Sequence, residues 1–300
     1  MALSLQMKKF INSEHVGEYA ELTLPGIPDK TGAQTPEPVR MHYMEAGVGE
    51  PLLLIHTVGQ SLYTWRHVFR ELSAHYRVLI VDLLGHGYSS RPQQFDYTIA
   101  EQADSLRLFL DFKGIESAHI VGFSMGAIYA LDFITRFPER TGKTILVSPG
   151  GITPEMPLGV RMLGSGLLGG LACRLYNRKT VAENICNCLF DLTNASDEVT
   201  DAYYQTTADT ASRKAIQYCV ANFDETDVET TMRTVRSEVL ILWGMEDKWH
   251  PCSGSELYHA AIASAQFGVI RNAGHLLHEE KADRFIESVK EYIPVPIDQD

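Results

Sequence analysis

Positive charge is scarce in this sequence. Its 300 residues include 26 lysines and arginines against 38 aspartates and glutamates, which gives a formal net charge of −12 at pH 7. Clusters of basic residues supply most of the affinity for nucleic acids and anionic membrane surfaces, and this chain has no such cluster. We therefore expect no nucleic-acid partner, and the acidic balance otherwise favours only solubility.

Long apolar runs are missing as well. The longest weakly polar stretch runs from Val160 to Cys173, but it includes Arg161 and several glycines and is too short to cross a bilayer. Near the N-terminus, Lys8 and Lys9 follow a short apolar start, whereas a secretory signal peptide carries its basic residues first. The sequence therefore predicts no membrane span and a cytoplasmic location.

Cysteine is equally sparse. The odd number of cysteines and the lack of a secretory signal favour reduced thiols in a cytosol. The pair Cys186-x-Cys188 has no second ligand pair at the spacing of a structural zinc site, so we predict no metal site. The five cysteines are Cys173, Cys186, Cys188, Cys219 and Cys252.

Most of the chain alternates between strand-like and helix-like patterns. The apolar runs Pro51–Ile55 and Arg77–Val81 are typical of strands buried on both faces, and Val39–Glu45 alternates like an edge strand. Strands that alternate with helices indicate βαβ units. The sequence therefore predicts an α/β fold, with a mostly parallel, twisted sheet of about eight strands and helices on both faces.

The alternation stops between residues 152 and 236. This segment has no buried-strand run and favours helices, which predicts a helical cap inserted into the sheet domain. We expect an α/β core at residues 39–151 and 237–300. Residues 1–38 form an N-terminal extension in this scheme, with a short amphipathic helix expected over Leu3–Ile11.

One stretch organises the functional prediction. The apolar run Ala118–Val121 leads into Gly122-Phe-Ser-Met-Gly126, and a helical pattern begins at once. A strand, a sharp Gly-x-Ser-x-Gly turn and a helix are the context of a nucleophile elbow. The glycines remove Cβ atoms that would collide with neighbouring backbone, and the new helix points its N-terminus at Ser124.

A serine hydroxyl needs a base, and the base needs a carboxylate that fixes its tautomer. Asp247 follows the apolar run that ends at Trp243, and His275 follows the run that ends at Ile270. In an open parallel sheet the carboxyl ends of the strands share one edge. We therefore expect Ser124, His275 and Asp247 to meet there.

The sequence resembles the α/β-hydrolase fold family over roughly residues 40–295. The resemblance implies Ser124 as the nucleophile, His275 as the base and Asp247 as the orienting acid. The matching motifs are His56…Gly59…Trp65, Asp82-x-x-Gly85-x-Gly87-x-Ser89, Gly122-Phe-Ser-Met-Gly126, Trp243-Gly-x-x-Asp247 with Pro251, and Gly274-His275 with Glu279, Glu280 and Phe285.

Other titratable residues near these motifs have structural interpretations. Glu246 lies one place off the family spacing for the acid, and His86 belongs to a glycine loop that serves as scaffold in the family. His56 ends a strand and is expected to form structural hydrogen bonds. His278 is expected to cap or face the last helix.

The resemblance also places an oxyanion hole, which needs two backbone N–H groups aimed at the developing negative charge. These should be the amides of Val58 and Met125. The chain departs from the family at Thr57, where glycine is usual, because a β-branched residue resists some backbone angles that glycine allows. We expect an intact hole in spite of this substitution.

Serine at the elbow excludes the family branches that use an aspartate nucleophile, namely haloalkane dehalogenases and epoxide hydrolases. The leading prediction is a serine hydrolase of ester-type bonds, as in a carboxylesterase, lactonase or thioesterase, with no cofactor. A cofactor-free perhydrolase, a hydrolase of carbon–carbon bonds and a non-catalytic ligand-binding protein stay open as alternatives. The sequence also leaves a homo-oligomer open.

The substrate is expected to be a small molecule with an apolar acyl or alcohol part. Apolar residues interleaved with glycines early in the cap are open to two interpretations, a flexible lid over the pocket or simple packing of the cap onto the sheet. These residues are Met156, Leu158, Val160, Met162, Leu163, Leu167, Leu168 and Leu171.

Overall fold

The computed structural model describes residues 17–26, 35–151, 162–165, 169–224 and 226–294. The expected helix over residues 3–11 lies outside these ranges. Eight strands form a single sheet, as the sequence predicts. They are β1 (Glu18–Leu24), β2 (Glu37–Ala46), β3 (Pro51–Ile55), β4 (Arg77–Val81), β5 (Ala118–Phe123), β6 (Thr141–Val147), β7 (Val239–Gly244) and β8 (Ala265–Ile270).

The strands lie in the order β1-β2-β4-β3-β5-β6-β7-β8. β1 pairs with β2 and β2 with β4 in antiparallel fashion, and every other neighbouring pair is parallel. The prediction that Val39–Glu45 forms an edge strand is wrong, because β1 covers that edge. Part of the segment expected as an N-terminal extension therefore belongs to the sheet.

Eleven α-helices lie in the described part of the chain, and four short 3-10 turns accompany them. The α-helices are α1 (Phe69–Leu72), α2 (Ile99–Phe112), α3 (Met125–Arg136), α4 (Gly169–Leu175), α5 (Arg178–Cys188), α6 (Asp197–Thr207), α7 (Thr210–Ala221), α8 (Thr226–Thr234), α9 (Ser255–Ala261), α10 (Leu277–Glu280) and α11 (Ala282–Tyr292).

The central strands bury both faces, as their continuous apolar runs predict. Leu53 and Ile55 of β3 pack with α2, α3 and α9 in one apolar cluster. Leu52 and Leu54 of the same strand pack with α1 and α11 in another. Successive side chains of a strand point to opposite faces, so one short run supplies both cores and the helices form a layer on each side.

Local signals fix several helix boundaries. The pattern Thr98-x-x-Glu101 in the sequence predicts a capping box, and the structure confirms it with both reciprocal hydrogen bonds. Helix α2 begins at the residue after Thr98. The sequence pattern predicts a helix over Trp65–Ala74, but the structure has only a 3-10 turn at Leu62–Trp65, followed by the single helical turn of α1.

Helices α4 to α8 all lie between β6 and β7, in the segment where the sequence predicts an inserted helical cap. Met156, Leu158, Val160, Leu167 and Leu168, which were open to the lid or packing interpretation, lie outside the described residues. Met162 and Leu171 are exposed. None of the described helices is long and apolar enough to cross a membrane.

Candidate active site

The turn between β5 and α3 holds Ser124 in an unusual backbone conformation, with φ 55° and ψ −117°. Non-glycine residues rarely adopt this region, and such strain concentrates at functional sites. A Cβ on Gly122 would lie 2.5 Å from the carbonyl oxygen of Gly126, and a Cβ on Gly126 would lie 2.3 Å from that of His56. The two glycines therefore permit the tight packing that holds Ser124 in place.

Asp247 and His275 meet across the ends of β7 and β8. The Nδ1 atom of His275 lies 2.7 Å from Oδ2 of Asp247, and both side chains are buried. The other carboxylate oxygen, Oδ1, accepts hydrogen bonds of 2.8 Å from the backbone N–H groups of Trp249 and His250. Asp247 is therefore fixed on both sides, and it leaves Nε2 of His275 as the available acceptor.

The charge state of Asp247 follows from these contacts. Burial would raise the pKa of this carboxyl, but the neighbouring His275 ring and the N–H of His250 outweigh it and hold the pKa below its usual value. The carboxylate is thus ionised at neutral pH and can stabilise a positive charge on His275.

Ser124 and His275 line the same cavity. The Phe123 ring, next to Ser124 in the chain, lies 4.9 Å from the His275 ring between centroids. Among the described residues no hydrogen bond joins the Ser124 hydroxyl to the imidazole. Such contacts are often long in a free enzyme and tighten when substrate binds, so their absence here does not exclude the pair.

Val58 and Met125, the two residues whose amides are expected to form an oxyanion hole, also line this cavity. The substitution at Thr57 does not force a left-handed backbone, because Thr57 is not among the residues with positive φ. Its hydroxyl instead takes part in the site, since Thr57 Oγ1 accepts a hydrogen bond of 3.2 Å from the N–H of Met125.

The remaining sequence candidates have structural partners elsewhere. Glu246 accepts a hydrogen bond from the N–H of Ala273. His56 donates from Nδ1 to the carbonyl of Thr57 and accepts at Nε2 from the N–H of Leu83, which fixes its neutral tautomer.

His278 is fully buried against the rings of Trp65 and Phe123. Its Nε2 lies 2.7 Å from the Thr64 hydroxyl. His86 is also buried, and its Nδ1 lies 3.2 Å from the carbonyl oxygen of Leu84. Both rings are therefore held by the core of the sheet domain.

Sequence reasoning missed His250. This buried residue lines the cavity, and its ring lies 5.0 Å from that of His275 between centroids. Burial and the neighbouring His275 lower the pKa of His250 to about 3. The available signal was its position on the Asp247 loop, three residues beyond the acid, at the same sheet edge.

A buried ionic cluster links the inserted helices to α10, the short helix that follows His275. Arg66 contacts Glu279 at 2.6 Å, and Glu279 also accepts hydrogen bonds from Thr64 and from the Tyr203 hydroxyl of α6. Burial opposes the charge on Glu279, but Arg66 holds the pKa of this carboxyl below its usual value. Tyr203 also lines the cavity, so this residue belongs to both the ionic cluster and the cavity wall.

The cavity is bounded by the sheet edge on one side and by the inserted helices on the other, and its space, with the open mouth included, is about 960 Å³. The inserted helices contribute mainly apolar and aromatic side chains, such as Val181 and Ile185. No lysine, arginine, aspartate or glutamate is among the described residues that line it. The site therefore offers polar hydrogen-bonding groups in a largely apolar, uncharged enclosure.

Buried neutral histidines should make the protein sensitive to acid. Burial lowers the pKa of His56, and it lowers those of His86, His250 and His278 to about 3. Below pH 6.5 the unfolded chain binds protons at these sites and the folded chain does not, so stability is lost as the pH falls. We expect the free energy of unfolding to drop by about 1.4 kcal/mol per pH unit for each of His86, His250 and His278, with a further loss from His56.

Urea unfolding between pH 8 and pH 5 measures this loss. His278→Gln should remove about one histidine's share of the slope, whereas His259→Gln, at an exposed position, should leave the slope unchanged. A free energy of unfolding that stays constant over this range would contradict the neutral state of these rings.

Comparison with known proteins places the chain among relatives of one fold. A family model described as alpha/beta hydrolase fold matches residues 50–282. A protein of Mycobacterium tuberculosis is 30% identical over 268 residues, which cover 85% of this chain and 78% of that protein. A 2-hydroxy-6-oxo-6-phenylhexa-2,4-dienoate hydrolase of Comamonas testosteroni is 29% identical, with 82% of this chain and 88% of the relative covered.

Among solved structures, a meta-cleavage product hydrolase from Pseudomonas fluorescens is similar, with a TM-score of 0.73 and 26% identity. The superposition covers 85% of this chain and 94% of that structure.

Proposed function

This chain belongs to the α/β-hydrolase fold family and is a hydrolase, and we propose that it cleaves ester-type bonds through an acyl-serine intermediate. The observation that carries the proposal is the contact of 2.7 Å between His275 and Asp247, in a cavity that also contains Ser124. These are the three groups that a serine hydrolase needs, in a site that shields the reaction from bulk water.

In the proposed reaction, the Ser124 hydroxyl attacks the carbonyl carbon of the substrate and His275 Nε2 takes its proton. The carbonyl oxygen becomes an oxyanion, which the N–H groups of Val58 and Met125 stabilise. Collapse of this intermediate breaks the ester bond, and His275 returns the proton to the leaving alcohol. Water then attacks the acyl-serine by the same route, which releases the acid and regenerates Ser124.

The substrate that fits this cavity is uncharged around the reacting bond and carries an apolar group. The described lining includes apolar and aromatic side chains such as Val181, Ile185 and Phe223, and none of its members is charged. A substrate carboxylate there would lose its hydration without gaining a cationic partner, which costs several kcal/mol. We infer that helices α4 to α8 act as a cap that shapes this pocket and sets the preference.

A second candidate is hydrolysis of a carbon–carbon bond, and the similarity to the dienoate hydrolase of Comamonas testosteroni favours it. The substrate in that relative's name is a carboxylate. The uncharged lining of the described cavity favours the ester reaction over this alternative.

Labelling with a fluorophosphonate probe tests the nucleophile, and a panel of esters, lactones, thioesters and diketones then tests the bond. We expect a phosphonyl adduct on the peptide that contains Ser124. We also expect kcat/KM for p-nitrophenyl butyrate to exceed that for mono-p-nitrophenyl succinate by about 100-fold, because only the second ester carries a carboxylate.

Two results would contradict the proposal. Labelling at another residue would reassign the nucleophile. Faster turnover of 2-hydroxy-6-oxo-6-phenylhexa-2,4-dienoate than of any neutral ester would favour the carbon–carbon reaction.

A further inference from the structure

The hydroxyl of Thr57 contacts one of the two expected donors of the proposed oxyanion hole. Thr57 Oγ1 is 3.2 Å from the N–H of Met125, which is one of the two expected donors. Thr57 is 7% exposed and lines the same cavity as Ser124. The side chain at the position where the resemblance implies glycine therefore contacts the group that would bind the reacting oxygen.

The backbone of Thr57 is held in place, so this contact is built into the fold. Its carbonyl oxygen accepts hydrogen bonds from His56 Nδ1 at 2.6 Å and from the N–H of Gln60 at 3.3 Å. Its side chain faces the cavity from this fixed position. The loop after β3 thus places a hydroxyl group at a defined position, where a glycine would have no side chain.

The direction of the hydrogen bond leaves the Thr57 proton available. A threonine hydroxyl has one donor and two acceptor sites, and the contact with Met125 uses an acceptor site. The hydroxyl hydrogen rotates about the C–O bond, so it can point into the cavity. An oxyanion is a much stronger acceptor than a neutral hydroxyl, and it would attract both this O–H and the N–H of Met125.

We propose that Thr57 is a third oxyanion donor, whose hydroxyl binds the developing negative charge together with the N–H groups of Val58 and Met125. This inference rests on the proposed acyl-serine reaction. In the free protein, Thr57 satisfies the buried N–H of Met125. When the tetrahedral intermediate forms, its oxygen becomes the common acceptor for all three donors, and the gain is largest in the transition state.

If the Thr57 hydroxyl obstructed the oxyanion hole, the opposite change in activity would be expected. If the hydroxyl merely filled the hole, the substrate oxygen would have to displace it, and removing the hydroxyl would raise kcat/KM. The sign of the change therefore distinguishes a donor from an obstruction.

Thr57→Val tests the proposal, because valine has nearly the same shape and lacks the hydroxyl. We expect kcat for a p-nitrophenyl ester to fall by about 100-fold with KM changed by less than about threefold, as for the loss of one oxyanion donor. Thr57→Ser, which keeps the hydroxyl, should recover most of the lost activity. Thr57→Ala provides a second hydroxyl-free variant if the valine protein folds poorly.

Thr135→Val is the matched control. It makes the same chemical change at a half-buried position on α3, where the hydroxyl bonds to the carbonyl of Leu131. Thr135 is not among the cavity-lining residues. We expect kcat to be unchanged in this variant.

A second readout does not depend on the identity of the natural substrate. An alkylboronic acid forms a tetrahedral anionic adduct with an active-site serine, so its affinity should fall by a similar factor in Thr57→Val. If the wild-type protein neither turns over esters nor reacts with boronate or fluorophosphonate, the proposed function itself fails. If the wild type reacts and Thr57→Val reacts as fast or faster, the third-donor role alone is overturned.

Discussion

Replacing Ser124 by alanine is expected to lower kcat for a p-nitrophenyl ester by about 10⁴- to 10⁶-fold. The substitution removes the only atom that would form the acyl intermediate, and the remaining oxyanion donors retain a small part of the rate enhancement. Alanine also has a Cβ, so the strained backbone with φ 55° is no worse than before. The thermal unfolding midpoint should therefore stay within a few degrees of the wild-type value.

Ser148→Ala is the matched control for this experiment. Ser148 also has a positive φ and is buried, but it is not among the residues that line the cavity. The activity of the Ser148→Ala variant should equal that of the wild type. If Ser124→Ala is purified free of contaminating enzymes and still hydrolyses the ester at a substantial rate, another nucleophile carries the reaction.

Replacing Asp247 by asparagine is expected to lower kcat by about 10⁴-fold at neutral pH. The surrounding contacts explain why. Oδ1 accepts from the N–H groups of Trp249 and His250, so an asparagine would keep its oxygen there and turn its NH₂ toward His275. Nδ1 of His275 would then become the acceptor, and its proton would move to Nε2. The base would face the serine in the wrong tautomer.

Glu246→Gln is the control for that loss, because it changes the neighbouring carboxyl in the same way. Glu246 bonds to the N–H of Ala273 rather than to His275, so kcat should change by less than about twofold. Equal losses of kcat in Asp247→Asn and Glu246→Gln would mean that the loop accepts an amide side chain at neither position. The argument that Asp247 sets the tautomer of His275 would then be wrong. A large loss in Glu246→Gln alone would assign the acid to Glu246.

The sheet was predictable from the sequence because its signals are local. Short apolar runs such as Pro51–Ile55 have the composition of strands covered on both faces, and Thr98 with Glu101 specifies a helix start within four residues. The boundary of the sheet was less predictable. The alternation of β2 suits a strand with one covered face, and only the pairing with β1 shows that this strand is not the edge.

The candidate site was also predictable in part, since three reactive residue types follow three parallel strands. Topology then requires them to share one edge, and the contact between His275 and Asp247 agrees with that expectation.

Only the tertiary structure decided the details that set the chemistry of the cavity. The Thr57 hydroxyl lies against Met125, 68 positions along the chain, and Tyr203 reaches Glu279 across 76 positions. Neither pairing has a sequence signature, because each depends on how separate elements pack rather than on any local pattern. By itself, the sequence determined the order of strands and helices and the residue types at the sheet edge. Folding determined which of those residues touch and which charges the cavity excludes, because burial and long-range contact exist only once the chain is packed.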